Sequence, residues 1–272
     1  MVWPQDVACR SMEYLTVCLT ALLASGLTLF SGFGLGTILT PVFALFFPVT
    51  TAVAMTAIVH LANNLFKIGL VGRDADWRVV ARFGLPAALA AIGGASLLAL
   101  FAGLPALASY ELGGRTHDIT PVKAAIGLLI TAFALLELWP RFANMSFPPR
   151  WLPVGGLMSG FFGGLSGNQG ALRSAFLIKA GLSKQAYVGT GAACTVLVDT
   201  VRLTVYGAAF HAGGWQVLQG EHGGLVLAAT LSAFLGAYVG KRLLKKVTLR
   251  FVELTVAGMM VLIGSGLASG LI

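Results

Sequence analysis

Three polar side chains recur at helical spacing inside an apolar stretch of the sequence. His60, Asn64 and Lys67 are four and three residues apart within the range 51–71, so they would share one face of a helix. Ionisable groups at membrane depth are costly and commonly mark a binding site or a pathway. We therefore expect this face to line a polar cavity. The alternative is that Lys67 extends its ammonium group to the membrane interface and His60 bonds a neighbouring carbonyl.

A second apolar stretch, 187–210, carries two opposite charges. Asp199 and Arg202 are three residues apart, near the middle of the stretch. An arginine shared between this carboxylate and an anion would form a binding site, because the guanidinium group presents planar donors that suit phosphate and sulfonate oxygens. The alternative is a structural ion pair in which the two charges neutralise each other.

Two glycine-rich breaks interrupt apolar stretches elsewhere in the chain. The first, 31–41, reads SGFGLGTILTP, and the second, 163–170, reads GGLSGNQG. In hydrocarbon, broken backbone survives only where protein or a water-filled cavity takes its hydrogen bonds. The helix that starts after each break has unpaired N–H groups and a positive dipole end, which attract anions. The breaks therefore predict an anion site or, alternatively, close helix packing by small residues.

The candidate substrate-binding residues come from these breaks and from the two polar faces. They are Gly34, Gly36, Thr37, His60, Asn64, Lys67, Asn168, Gln169, Gly170, Arg173, Ser174, Asp199 and Arg202. No catalytic residue is predicted, because the sequence contains neither an HExxH nor a GxSxG motif. The four histidines have no metal-ligand spacing with cysteine or carboxylate residues. We therefore expect neither a metal ion nor a cofactor.

The composition is that of an integral membrane protein. Of the 272 residues, 57% are apolar and only 10% are charged, whereas a soluble domain has about 25% charged residues. The net charge of +8 indicates basic loops that face the cytoplasm and anionic lipid rather than nucleic acid. Cys9, Cys18 and Cys194 have no CxxC spacing, and small buried apolar side chains explain them better than disulfides.

The apolar stretches predict two broken hairpins and six membrane-crossing helices, since a crossing needs about 20 residues. In the first half the hairpin arms and the three crossings are 14–30, 35–47, 51–71, 83–101 and 122–138. In the second half they are 152–162, 171–180, 187–210, 223–239 and 251–271. The predicted division of the chain is a lead (1–13), a first repeat (14–140), a connecting loop (141–150) and a second repeat (151–272).

The two halves share an order of features, which indicates an internal repeat. Placing Gly36 on Gly170, with a later slip of one residue, sets Lys67 against Arg202. Loop 241–250 carries five basic residues and is therefore placed in the cytoplasm. Counting back from it puts the N-terminus outside and equivalent loops of the two halves on opposite faces. That arrangement is an inverted repeat, a common build of secondary transporters.

Taken together, these sequences resemble the TauE/SafE sulfite exporter family, which is also called the toluene-sulfonate uptake permease family. The resemblance rests on the two glycine breaks, on the loop GRDADWRVV and on the stretch LGAYVGKRLLKKVTLRFVEL, and it covers nearly the whole chain. It implies the movement of small sulfur-containing anions, such as sulfite, thiosulfate and organosulfonates, across the inner membrane. Asn168, Gln169 and Arg173 depart from the glycines and apolar residues usual in the family, so the substrate could differ from sulfite.

The sequence thus predicts an all-α polytopic membrane protein of two inverted-topology repeats, each with a broken or re-entrant hairpin and three transmembrane helices. Its predicted function is secondary transport of a small sulfur oxyanion or organosulfonate, bound at half-helix N-termini and basic residues near the midplane of the inner (plasma) membrane. The expected partners are this anion and the lipid bilayer, without nucleic acid. An anion channel, an intramembrane enzyme and a membrane scaffold stay open as alternatives, as do transport direction, ion coupling and homo-oligomerisation.

Overall fold

The computed structural model describes residues 4–27, 35–139, 141, 145–209, 221–243 and 249–272. Within these ranges the chain is mainly helical. The helices are α1 (Pro4–Leu27), α2 (Leu35–Ala44), α3 (Val49–Val71), α4 (Trp77–Ala102), α5 (Pro121–Leu138), α6 (Leu152–Ser166), α7 (Gly170–Leu177), α8 (Lys184–Ala209), α9 (Glu221–Leu243) and α10 (Leu249–Ala268). An antiparallel β-hairpin, formed by β1 (Ala108–Leu112) and β2 (Arg115–Ile119), joins α4 to α5.

Five helices in the described part of the chain are long and apolar enough to cross a membrane. They are Val49–Asp74, Trp77–Ala102, Pro121–Leu138, Lys184–Ala209 and His222–Gly240. The prediction of a helical, multi-pass membrane protein is therefore confirmed. The β-hairpin is an addition to it, because the sequence predicts only an irregular connection between α4 and α5.

The first helix is longer than predicted. Instead of a separate polar lead over 1–13, α1 runs without interruption from Pro4 to Leu27. Neither glycine nor proline occurs between Gln5 and Ser25, so nothing in the sequence ends the helix early. Proline is also well tolerated in the first turn, where its missing N–H would have no intrahelical partner.

Short helices follow both chain breaks. With 10 and 8 residues, α2 and α7 are about 15 and 12 Å long, roughly half the thickness of the hydrocarbon core. At the second break, α6 is followed by Gly167, whose φ of 81° is readily available only to glycine. The chain then enters α7 with a short reversal. Residues 28–34, which include the first four residues of the first break, lie outside the described residues.

Glycines let α6 approach α4 closely. Gly156 and Gly160 lie against the backbone of Phe83 and Ala87, and a Cβ atom on Gly160 would overlap the Ala87 carbonyl oxygen. The residue numbers rise together along the contact, so the two helices run parallel.

A matching contact joins α1 to α9. Here Gly236 lies against Leu22 and Gly240 lies against Gly26. These two helices also run parallel, and small residues again form the contact.

The remaining long helices pack as two antiparallel pairs. In α3 and α8, the Val71 carbonyl lies beside Gly189, whereas His60 lies beside Asp199. In α5 and α10, Gly127 lies beside the backbone of Ala268 and Gly264. Along the α3–α8 contact, the residue numbers of α3 rise while those of α8 fall, so the two helices run in opposite directions.

The two ends of the helix bundle differ in charge. At one end, Arg82 donates a hydrogen bond to the Pro149 carbonyl (3.3 Å) and the Phe147 N–H donates to the Ala175 carbonyl (3.1 Å). Exposed basic residues cluster there: Arg73, Arg78, Arg82, Arg150, Lys179 and Lys184. We call this the basic end. At the other end, the β-hairpin packs on the C-terminal residues, with the Tyr110 hydroxyl donating to the Ser269 carbonyl.

Candidate functional site

The antiparallel pairing of α3 and α8 brings together the polar residues of the two helices. The Nδ1 atom of His60 lies 2.8 Å from Asp199 Oδ2. The other carboxylate oxygen, Oδ1, lies 2.9 Å from Arg202 Nε, in an ion pair whose orientation falls short of a hydrogen bond. Asp199 and Arg202 are fully buried and His60 is 4% exposed. The two predicted polar faces therefore meet in the protein interior.

The guanidinium group of Arg202 packs against the second chain break. Its Nη1 atom donates a hydrogen bond to the Gly163 carbonyl oxygen at 3.3 Å. A Cβ atom placed on Gly167 would lie 2.7 Å from the same Nη1 atom. Glycine is thus required at this position both for its positive φ and for the space that the guanidinium group occupies.

The start of α2 lies at the same place. A Cβ atom on Gly36 would lie 3.4 Å from the Gly167 carbonyl oxygen and 3.7 Å from His60 Nδ1. The two chain breaks therefore approach each other beside His60 and Arg202. Thr37, the next residue of α2, is also buried. Gly34, another predicted binding residue, lies outside the described residues.

Several buried polar atoms at this place have no hydrogen-bond partner among the described residues. They belong to the second break and to Arg202, which lies against it: both amide atoms of Asn168, the Nε2 atom of Gln169 and the Nη2 atom of Arg202. Asn168 and Gln169 are each 2% exposed. Since a buried polar group without a partner costs about 1–3 kcal/mol, these atoms indicate a missing partner of polar character. We call the region around them, with Gly36 and His60, the central site.

A second group of predicted residues lies nearer the basic end. Arg173, on α7, donates a hydrogen bond from Nη1 to the Thr195 hydroxyl of α8, and its Nε lies close to Gly191. Lys67, on α3, is buried and lies close enough to Arg173 to be repelled by its charge. Lys67 therefore does not extend its ammonium group into the solvent, as the alternative for this residue required.

Two further predicted binding residues have hydrogen bonds within the protein, and a third begins a helix. The Asn64 amide nitrogen donates to the His60 carbonyl one turn earlier (2.8 Å), and the Ser174 hydroxyl accepts a hydrogen bond from Tyr187 (2.8 Å). Gly170 is the first residue of α7. Its N–H belongs to the first turn, whose N–H groups have no partner within the helix.

Asn63 and Tyr206 are two buried polar residues that the sequence did not single out. Ser25 donates to the Asn63 Oδ1 atom (3.0 Å), and the Asn63 Nδ2 atom has no partner among the described residues. The Tyr206 hydroxyl donates to the Gly164 carbonyl oxygen. Helical spacing could have found both, because Asn63 follows His60 by three residues and Tyr206 follows Arg202 by four.

The described part of the chain brings no three His, Cys, Asp or Glu side chains together as ligands for a metal ion. The polar groups at the chain breaks are instead mainly donors: guanidinium, amide and backbone N–H groups. Donors converging in a buried place suit an anion with several oxygen atoms.

Comparison with known proteins identifies one family. The family model described as "Sulfite exporter TauE/SafE" matches residues 17–267, so the match includes both chain breaks and all the predicted binding residues. No curated protein and no solved structure matches the chain. The match confirms the resemblance seen in the sequence.

Proposed function

Because the chain belongs to the sulfite exporter TauE/SafE family, a family of membrane transporters rather than enzymes, we propose that it is a secondary transporter of a small sulfur-containing anion. Sulfite, thiosulfate and organosulfonates are the proposed substrates, and the inner membrane is the proposed location. The central site is where the anion binds.

One observation supports this proposal: buried donors without described partners lie at the second chain break and on Arg202 against it, next to the start of α2. The Nη2 atom of Arg202 makes no hydrogen bond to a described residue, although the Tyr206 hydroxyl interacts with the guanidinium group. Its Nη1 atom bonds Gly163 and its Nε atom faces Asp199. The amides of Asn168 and Gln169 lie at the same break. A tetrahedral or pyramidal oxyanion has enough oxygen atoms to accept from all three side chains at once.

The charge of the region also favours an anion. Asp199 is the single buried carboxylate among the described residues, whereas Lys67 and Arg202 are buried and positive. Arg173 adds a third positive charge that acts on both Lys67 and Asp199. Whichever protonation state His60 takes, these groups carry an excess of positive charge. Buried charges are tolerated when a counter-charge is present, and anions bound along this region would supply it.

The helix packing supports two inverted repeats, 14–140 and 151–272. Corresponding long helices should run antiparallel in such a fold, as α3 and α8 do. The parallel contacts are of one kind in the two halves. The alignment that places Gly36 on Gly170 also places Gly26 on Gly160, and each of these glycines packs closely against another helix, α9 and α4 respectively. The central site would lie where the repeats meet, and transport would follow from their rocking about it.

The distribution of charge supports an orientation with the basic end in the cytoplasm. The first hairpin would then open to the outside and the second to the cytoplasm. Export of an anion in this orientation is favoured by an inside-negative potential, by about 2.3 kcal/mol per charge for each 100 mV. Export therefore needs no coupled ion, whereas uptake does.

The experiment that tests the proposal is anion flux in liposomes containing the purified full chain. Sulfite is the loaded anion, and thiosulfate, sulfate, sulfoacetate and taurine compete for it. We expect sulfite flux that saturates with concentration and that thiosulfate or a sulfonate inhibits. Flux that rises linearly to high concentration would indicate a channel, and the absence of flux and of binding for every sulfur anion would refute the proposal.

A further inference from the structure

Lys67 is a buried cation without a counter-charge in the described structure. Its side chain is only 7% exposed. Asp199 forms an ion pair with Arg202 and faces His60, and no described group hydrogen-bonds the Lys67 ammonium. An ammonium group on a largely buried residue loses much of its hydration without a described partner, although Lys67 Nζ is not among the side-chain atoms fully closed off from solvent.

The packing of α3 on α8 places Lys67 near Arg173. On α3, Lys67 lies between His60, which is beside Asp199, and Val71, which is beside Gly189. Arg173 contacts Gly191 and Thr195 in the same stretch of α8. Arg173 therefore repels Lys67, and the described hydrogen bond of its guanidinium group goes to the neutral Thr195 hydroxyl. Asp199 attracts Arg173, but its two carboxylate oxygens already face His60 and Arg202. Lys67 and Arg173 are therefore two neighbouring cations that share no carboxylate of their own.

These two residues lie apart from the central site. Lys67 follows His60 by seven residues on α3, which places it about 10 Å further along the helix. The direction is toward the basic end, because α3 ends at Val71 and the exposed Arg73 follows. Arg173 lies on α7, which also runs from the chain break toward that end.

We propose that Lys67 and Arg173 form a second anion subsite between the central site and the basic end. It takes the same class of ligand, a small oxyanion of sulfur, and rests on the proposed function. An anion there accepts from the Lys67 ammonium and from the Arg173 N–H groups that Thr195 does not use. It thereby supplies the counter-charge that the two cations lack. The anion occupies this subsite on its path between the cytoplasm and the central site.

The test is the number of sulfite ions bound per chain, measured by calorimetric titration of the detergent-purified full chain with sulfite under anaerobic conditions. We expect two ions bound by the unchanged protein and one by the Lys67→Gln and Arg173→Gln variants. The matched control is Lys179→Gln, which removes an exposed charge at the same end and should leave two ions bound. Lys67→Arg keeps the charge and should also bind two.

Flux measurements on the same variants add a second readout. Lys67→Gln should raise the KM for sulfite at the basic end at least tenfold, with a smaller effect on the KM at the opposite end. If Lys67→Gln does not fold, Arg173→Gln and Lys67→Arg still decide the question. Two results would overturn the subsite and leave the transport function unaffected. One is a single sulfite ion bound by the unchanged protein, and the other is an Arg173→Gln variant with the stoichiometry and KM of the unchanged protein. A protein that binds and moves no sulfur anion would instead refute the proposed function.

Discussion

Asn168 is a buried amide whose nitrogen and oxygen atoms both lack a partner among the described residues. It follows Gly167, which lies against the Arg202 guanidinium group, and this position suits a ligand contact better than a structural role, because a structural amide is usually hydrogen-bonded. The neighbouring Ser159 hydroxyl bonds the Gln169 carbonyl (3.1 Å) and leaves the Gln169 side chain available. Selectivity between anions should therefore depend on the second chain break.

Replacing Asn168 with leucine should separate binding from folding. The unliganded protein should lose less than about 1 kcal/mol of unfolding free energy, or gain some, because an unsatisfied buried amide is removed. The stabilisation by sulfite should fall sharply. Thermal unfolding with and without sulfite measures both effects, and Gln185→Leu, at an exposed position of α8, is the control. A sulfite-induced shift of normal size in Asn168→Leu would contradict a contact between this amide and the anion.

Asp199 is the counter-charge of Arg202. A variant with a neutral side chain at position 199 should therefore depend on the bound anion for its stability. Asp199→Asn should lower the unfolding free energy by about 3–5 kcal/mol, since removing one partner of a buried ion pair leaves the other charge uncompensated. Sulfite should then stabilise Asp199→Asn more than it stabilises the unchanged protein, because the anion replaces the carboxylate. Thermal unfolding against sulfite concentration measures this, with the exposed Asp74→Asn as control. An equal or smaller effect of sulfite would show that the anion binds away from Arg202.

The sequence predicts which residues matter more reliably than it predicts how they pair. Helical spacing identified His60, Asp199 and Arg202, and the structure places them in contact. Spacing within one helix cannot show that Ser174 is bonded by Tyr187 or that the Asn63 amide faces Ser25, since those partners come from other helices.

At the scale of elements, the glycines of α6 hold the first arm of the second hairpin against α4. Gly160→Ala should destabilise the protein by about 1–3 kcal/mol, because the added methyl group overlaps the Ala87 carbonyl oxygen and forces the two backbones apart. Gly93→Ala is the matched control: it lies on α4, and an added Cβ would meet only Phe161, at 3.9 Å. Unfolding of the two variants in the same detergent gives the difference. Equal stabilities would mean that α4 and α6 do not need this close contact.

Two elements differ from what the sequence predicts, for different reasons. The sequence predicts an irregular connection where the structure has the β-hairpin, although Gly113 and Gly114, both with positive φ, mark a tight turn between two short strands. That signal is weak, because the strands are exposed and mixed in polarity. The sequence also predicts a boundary within α1 at a change of composition, but a change of composition alone does not end a helix.

For the whole molecule, orientation in the membrane is the property that the charge distribution predicts. The basic end should face the cytoplasm. In a chain whose native cysteines are replaced by serine, Lys184→Cys should react with a membrane-impermeant thiol reagent only from the cytoplasmic side. Thr116→Cys, in the β-hairpin at the opposite end, should react only from outside. The reverse pattern would contradict the orientation and exchange the roles of the two hairpins.

The sequence shows that the two halves share one order of features, but it does not show how the halves pack against each other. Loop charges and the glycine breaks indicate which segments correspond. The packing of α1 against α9 and of α6 against α4 depends on glycine contacts between segments distant in sequence. A single sequence does not show which segments make these contacts. The meeting of the two chain breaks follows from that packing.

The most direct test of the central site is sulfite affinity in the Arg202→Lys variant. Lysine keeps the positive charge beside Asp199, so the fold should persist, but it lacks the planar fork of donors that reaches under the second chain break. Thermal unfolding against sulfite concentration measures the affinity, because a ligand at a hundredfold excess over its Kd stabilises by about 2.7 kcal/mol. We predict at least a tenfold loss of affinity in Arg202→Lys and none in Arg150→Lys at the exposed basic end. Unchanged affinity in a folded Arg202→Lys protein would contradict anion binding at the meeting of the two breaks.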